Sequence, residues 1–85
     1  MSVFRVEVRV MPRAALLDPQ GQAVESSLRQ LGFAVDEARI GRVVDLEVAA
    51  TDATAARAEV ERMCEQLLAN PLIESYEIEL SEPPA

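Results

Sequence analysis

Residues 3–21 read VFRVEVRVMPRAALLDPQG, and this stretch commits the chain to a strand followed by a helix. Phe4, Val6, Val8 and Val10 alternate with Arg5, Glu7 and Arg9. Apolar residues at a period of two mark a strand with one buried face. Pro12 ends the strand, because proline has no N–H to give to a ladder. Residues 13–17 form a loop, and Asp18 then stands where a helix N-cap belongs, its carboxylate able to accept from the orphan N–H groups of the first turn. Pro19 suits the first helical position, where its fixed φ is correct and its missing N–H costs little. Val24, Leu28 and Leu31 follow at helical spacing, and Gly32 sits where a left-handed C′ residue is expected, so the helix spans about residues 19–31. Gly21 within the first turn costs up to ~1 kcal/mol relative to Ala. Its presence implies that something comes close to the backbone there: a ligand, or the chain's own sheet.

Outward from this unit the patterning continues. Residues 33–50, FAVDEARIGRVVDLEVAA, read as a hairpin. Val35 and Ile40 mark its first arm, and Val44, Leu46 and Val48 its second, with Gly41-Arg42 as the turn and Gly41 supplying a positive φ. Residues 51–71, TDATAARAEVERMCEQLLANP, read as a second helix capped by Thr51 or Asp52 and stopped by Asn70-Pro71. Its apolar stripe runs through Ala56, Val60, Met63, Cys64, Leu67 and Leu68. Residues 73–80 alternate again, with Tyr76, Ile78 and Leu80 facing inward.

The order β-α-β-β-α-β predicts an α+β fold, a ferredoxin-like two-layer sandwich with an antiparallel sheet in the order 4-1-3-2. One domain is expected over residues 1–80, with a frayed tail over residues 81–85. In that sheet order Arg5 and Arg9 lie between Asp45 and Glu47 on one side and Glu77 and Glu79 on the other. Each exposed pair in such a lattice is worth only a few tenths of a kcal/mol, and the face reads either as this wet lattice or as where a second sheet packs.

Composition narrows the chemistry. The 85 residues carry a net charge of −7, and every one of the 8 cations is Arg. That balance argues against nucleic acid and against an anionic membrane as partners, and no apolar run approaches the ~20 residues of a membrane span. The N-terminal residues show no signal-peptide pattern, so a cytoplasmic location is expected. The chain has no His, Lys or Trp and a single Cys. The usual triads, zinc sites, Schiff bases and phosphate-loop lysines are therefore excluded. Cys64 reads as a buried structural thiol deep in a helix, Tyr76 as core filling, and Glu59, Glu61 and Glu65 as a solvated helix face. A core this small favours association with other chains.

Four blocks, LLDPQG, LRQLGF, ARIGRVVDLEV and MCEQLLANPLIESYEIEL, resemble the PurS family, the small subunit of phosphoribosylformylglycinamidine synthase, over residues 3–80. The resemblance implies a non-catalytic subunit in purine biosynthesis that self-associates as a homodimer or homotetramer. It implies partners: a PurL-like synthetase and a PurQ-like glutaminase, which this subunit bridges while supporting ammonia transfer. ATP and magnesium belong to the complex, and no cofactor is expected in this subunit. Carried onto this chain, the motif positions are Asp18, Pro19, Gly21, Gly32, Gly41, Asn70, Pro71 and Glu74, with Arg42 where relatives usually have Lys. They are expected to define the fold and to contact other subunits. Relatives often have Lys-x-Gly where this chain has Arg13-Ala14-Ala15. The competing reading is an independent ferredoxin-like regulatory module that binds a small ligand between subunits at the turn from Asp18 to Gly21.

Overall fold

The computed structural model describes residues 1–81. Its regular elements are β1 (Ser2–Pro12), α1 (Pro19–Gln30), β2 (Arg42–Ala50), α2 (Ala53–Met63) and β3 (Glu74–Ser81), with a 3-10 turn (Ala15–Leu17) leading into α1. The three strands form one antiparallel sheet in the order β2-β1-β3.

The alternation read in residues 3–11 sets the core. Phe4, Val6, Val8 and Val10 of β1 are buried beneath Ala56 and Val60 of α2 and Cys64 just past its end, and Val48 and Ala50 of β2 and Ala69 complete the cluster. Val44 and Leu46 of β2, and Tyr76, Ile78 and Leu80 of β3, face the same way but stay half-buried at its margins. The opposite face carries the expected ion pairs. Arg9 lies 3.4 Å from Glu77 and 3.6 Å from Glu79, and Arg5 lies 4.0 Å from Glu47. Glu7 sits in register between Asp45 and Glu79, so one row of the outer face is wholly acidic.

Three expectations need correction. The first arm of the predicted hairpin is not a strand: residues 33–41 run irregularly, and the sheet holds the 4-1-3 part of the predicted order without the outer strand 2. The reason is that side chains claim this segment's backbone groups. The Arg29 guanidinium donates to the carbonyls of Val35 (2.8 Å) and Asp36, and Ile40 N–H donates to Asp18 Oδ2 at 2.7 Å. A segment satisfied in this way has little to gain from a ladder. Gly41 accordingly makes no hairpin turn and has no positive φ. A side chain there would collide with the Val10 carbonyl and the Met11 sulfur.

The second correction concerns α1. Its start and stop are as read, with Asp18 as cap, Pro19 at the first position and Gly32 at φ 97° past the end. Its apolar stripe, however, does not reach the core. Gly21 is its only buried residue, and its main neighbour is the turn Ala15–Leu17, with no extensive contact to any strand.

The third lies at the end of the second helix. Asp52 caps α2, accepting from Ala55 N–H at 2.8 Å. Beyond Met63 the backbone loosens into a π turn (Cys64–Leu68), closed by Ala69 N–H donating to the Cys64 carbonyl at 3.0 Å. The extra residue in that turn rotates the stripe, leaving Leu67 83% exposed while Leu68 stays against the core. Ser81 closes β3, and the rest of the expected frayed tail, residues 82–85, lies outside the described residues.

Candidate functional site

Asp18 is the residue on which the site is built. Its carboxylate is buried and divides its oxygens between two donors: Oδ1 accepts from Gly21 N–H at 2.9 Å and Oδ2 from Ile40 N–H at 2.7 Å. One side chain thus caps α1 and pins the irregular segment against it. Gly21 is explained by the same contact. A Cβ there would strike the Asp18 carboxylate and lie 2.6 Å from the Ala38 carbonyl. The close approach is within the chain, yet it is to Asp18 and the irregular segment at Ala38 and not to the sheet.

A second knot forms where β2 begins. The Arg42 guanidinium donates to both carboxylate oxygens of Glu74, at 2.6 and 3.0 Å, and also to the Leu68 carbonyl at the end of the π turn. Glu74 also accepts from Asn70 N–H at 2.7 Å. Asn70 returns the contact, its carbonyl accepting from Glu74 N–H at 2.8 Å and its side chain from Leu72 N–H at 3.1 Å. Hydrogen bonding from Arg42, then from Asn70, holds the Glu74 carboxyl below the usual carboxylate range, and the same pairing raises Arg42. The Pro71 carbonyl accepts from Arg13 Nε at 3.2 Å, while Arg13 N–H donates to the Ile73 carbonyl at 2.7 Å. Arg13 therefore anchors the loop ahead of Asp18 to the segment after Asn70.

The two knots face each other across a groove of about 320 Å³. Asp18, Pro19, Gly41, Arg42 and Glu74 line it, together with the apolar Pro12, Leu17, Ile40 and Ile73 and the amide Gln20. Gly21 lies buried beside Asp18, and Asn70 and Pro71 brace the far wall through Glu74 and Arg13. All eight of Asp18, Pro19, Gly21, Gly41, Arg42, Asn70, Pro71 and Glu74 thus gather in one place, although residues 18–21 and 70–74 are far apart in the chain. Gly32 stands apart at the other end of α1. Sequence reading missed the apolar lining. Leu17, Ile40 and Ile73 lie within the quoted blocks but were not among the candidate site positions, and only their place beside those positions marked them.

Arg42 and Glu74 are committed to one another and Asp18 to two backbone N–H groups, and each buried side-chain polar atom among the described residues has a partner. Cys64 lies elsewhere, buried beneath the sheet, where burial and then Glu61 and Glu65 push its thiol up. Burial likewise raises the Tyr76 hydroxyl. A broader depression of about 460 Å³ is lined by Arg5, Glu7, Asp45, Glu47 and Glu79 together with Val6, Leu46 and Leu80. Among the described residues, no three His, Cys, Asp or Glu side chains are placed to hold a metal ion, and no helix is long and apolar enough to cross a membrane.

Fold and groove define the class: a small two-layer α+β module that uses its motif residues to shape a surface. Residues 5–82 match the family described as PurS, phosphoribosylformylglycinamidine (FGAM) synthase. The chain is 40% identical over 79 residues to the synthase subunit PurS of Synechocystis, covering 92% of this chain and 79% of that protein. It is 37% identical to the Thermotoga maritima subunit, covering 92% and 96%. Among solved structures, Bacillus subtilis PurS matches with a TM-score of 0.82 at 38% identity, covering 93% of this chain and 99% of that one. A chain of the PurLQS structure from Thermotoga maritima matches with a TM-score of 0.83 at 35% identity, covering 95% and 100%. The chain belongs to the PurS family.

Proposed function

We propose that this chain is a non-catalytic assembly subunit of phosphoribosylformylglycinamidine synthase. It works in the cytoplasm, joins a PurL-like synthetase to a PurQ-like glutaminase and supports passage of ammonia between them. ATP and magnesium serve the complex, and this subunit takes no cofactor. Residues 1–80 act as one domain, and the chain works as a homodimer or homotetramer. The ferredoxin-like order belongs to this reading in a restricted sense: strands 4, 1 and 3 are in place, and the edge left by strand 2 is open to a neighbour.

One observation supports this reading above the others. The motif residues converge on a groove whose polar groups are already engaged, Arg42 with Glu74 and Asp18 with two backbone N–H groups, so the groove offers shape and apolar contact instead of a reactive group. Such a surface suits a protein partner. It suits a small ligand at the Asp18 turn less well, because the Gly21 and Ile40 N–H groups already donate to Asp18.

The test is reconstitution. Purified synthetase and glutaminase subunits from the same organism are assayed for glutamine-dependent amidine formation with and without this chain. Omission is expected to abolish the glutamine-dependent rate, and ammonium salts supplied directly are expected to restore part of it. A full glutamine-dependent rate from the two larger subunits alone overturns the proposal.

A further inference from the structure

The apolar residues of the groove sit on three irregular segments, and each segment is fastened. Arg13 N–H donates to the Ile73 carbonyl at 2.7 Å and Arg13 Nε to the Pro71 carbonyl at 3.2 Å, which joins the segment before α1 to the one before β3. Ile40 N–H donates to Asp18 Oδ2 at 2.7 Å, which ties in the segment before β2. Leu17, Ile40 and Ile73 thereby line one opening. Their chain neighbours Leu16 and Leu72 are 77% and 85% exposed. Connecting segments are ordinarily the mobile part of a fold. Here they hold large apolar side chains in fixed places at the surface, which is the arrangement of a contact site whose ordering cost is already met.

The charge beside this opening has a sign. Of the 8 arginines, Arg5, Arg9, Arg29, Arg42 and Arg62 pair with carboxylates, and Arg13 and Arg57 donate to carbonyls. Arg39 is exposed and does neither among the described residues, although Asp36 and Glu37 lie on the same segment. It immediately precedes Ile40, so an uncommitted cation stands next to the apolar lining in a chain of net charge −7. Its complement is a carboxylate. A two-fold contact of this end with itself would turn Arg39 toward its own symmetry copy, so the end is not complementary to itself.

We propose that this end of the molecule receives a segment of one of the two larger subunits in which an apolar side chain stands beside an Asp or Glu. The apolar side chain enters between Leu17, Ile40 and Ile73, Leu16 and Leu72 close over it, and the carboxylate meets Arg39. This rests on the assembly role proposed above and adds the surface used and the chemistry of what it takes.

The experiment uses the full chain and three variants at exposed positions: Leu72→Asp, Arg39→Glu and Arg39→Lys. Each is labelled and titrated with the purified synthetase and, separately, with the glutaminase, at low and high salt. Circular dichroism checks the fold and light scattering the mass of the free chain. Leu72→Asp and Arg39→Glu are each expected to weaken binding to the same one of the two subunits about 10-fold or more. Arg39→Lys is expected to keep most of the affinity, and Arg39→Glu to lose the part of the affinity that salt weakens in the wild type. Fold and mass are expected to stay as in the wild type. Wild-type affinity in both Leu72→Asp and Arg39→Glu overturns the docking end and leaves the assembly role standing, and so does a variant whose own mass changes, since the end would then be a contact between copies. Binding of the wild type to neither subunit overturns the assembly role and the docking end with it.

Discussion

At the residue scale, Asp18 carries two duties through two oxygens. Asp18→Ala removes the cap of α1, which alone is worth about 1 kcal/mol, and leaves the Ile40 N–H without its acceptor, so the total loss is expected at about 2 kcal/mol by urea unfolding. Loss of a few tenths only would mean that water replaces both bonds. Gly21→Ala is the steric counterpart. The added methyl meets the Asp18 carboxylate and the backbone carbonyl of Ala38, and backbone cannot move aside cheaply, so a cost of about 1–3 kcal/mol is expected as a lowered Tm. Glu74 adds a pH dependence of known sign. Its carboxyl titrates lower in the folded chain than in the unfolded one, so its contribution is complete above the usual carboxylate range and is lost as pH falls through the folded value. The stability gap between wild type and Glu74→Gln is therefore expected at pH 7 and should close at acid pH. A gap that stays constant with pH would remove the Arg42–Glu74 pair from the account.

At the element scale, β1, the cap of α1 and the inward face of β3 were legible in the sequence, and the cap of α2 was narrowed to Thr51 or Asp52, because local rules set them: alternation, Asp-Pro, a short polar residue before an apolar stripe, and the run from Ile73 to Leu80. Three features were not legible, each for a nonlocal reason. The strand expected at Val35 and Ile40 is cancelled by bonds from Arg29 and Asp18, which lie in or next to a different element. The π turn shifts Leu67 outward although the spacing of residues 63–68 suits a regular helix. The stripe of α1 is a correct amphipathic signal that a single chain leaves unused. Of the candidate site, the motif residues were legible and the apolar groove lining was not, since Leu17, Ile40 and Ile73 become neighbours only through the fold. The π turn makes a prediction here. Leu67→Gln should change stability by under about 0.5 kcal/mol, as an exposed site does, while Leu68→Gln should cost several-fold more. Equal costs would place Leu67 in the core in solution.

At the scale of the whole molecule, exposed Val24 and Leu31 on the first helix and a groove whose polar groups are already engaged describe a chain that acts by contact. The absence of His and Lys from the sequence points the same way, since the commonest proton-transfer and Schiff-base chemistries are closed to it. The most direct measurement is the mass of the species formed when this chain, the synthetase subunit and the glutaminase subunit are mixed with glutamine and nucleotide and sedimented together. The account predicts one complex containing all three, which falls apart into separate enzymes when this chain is left out. A synthetase–glutaminase complex of undiminished stability without it would contradict the account.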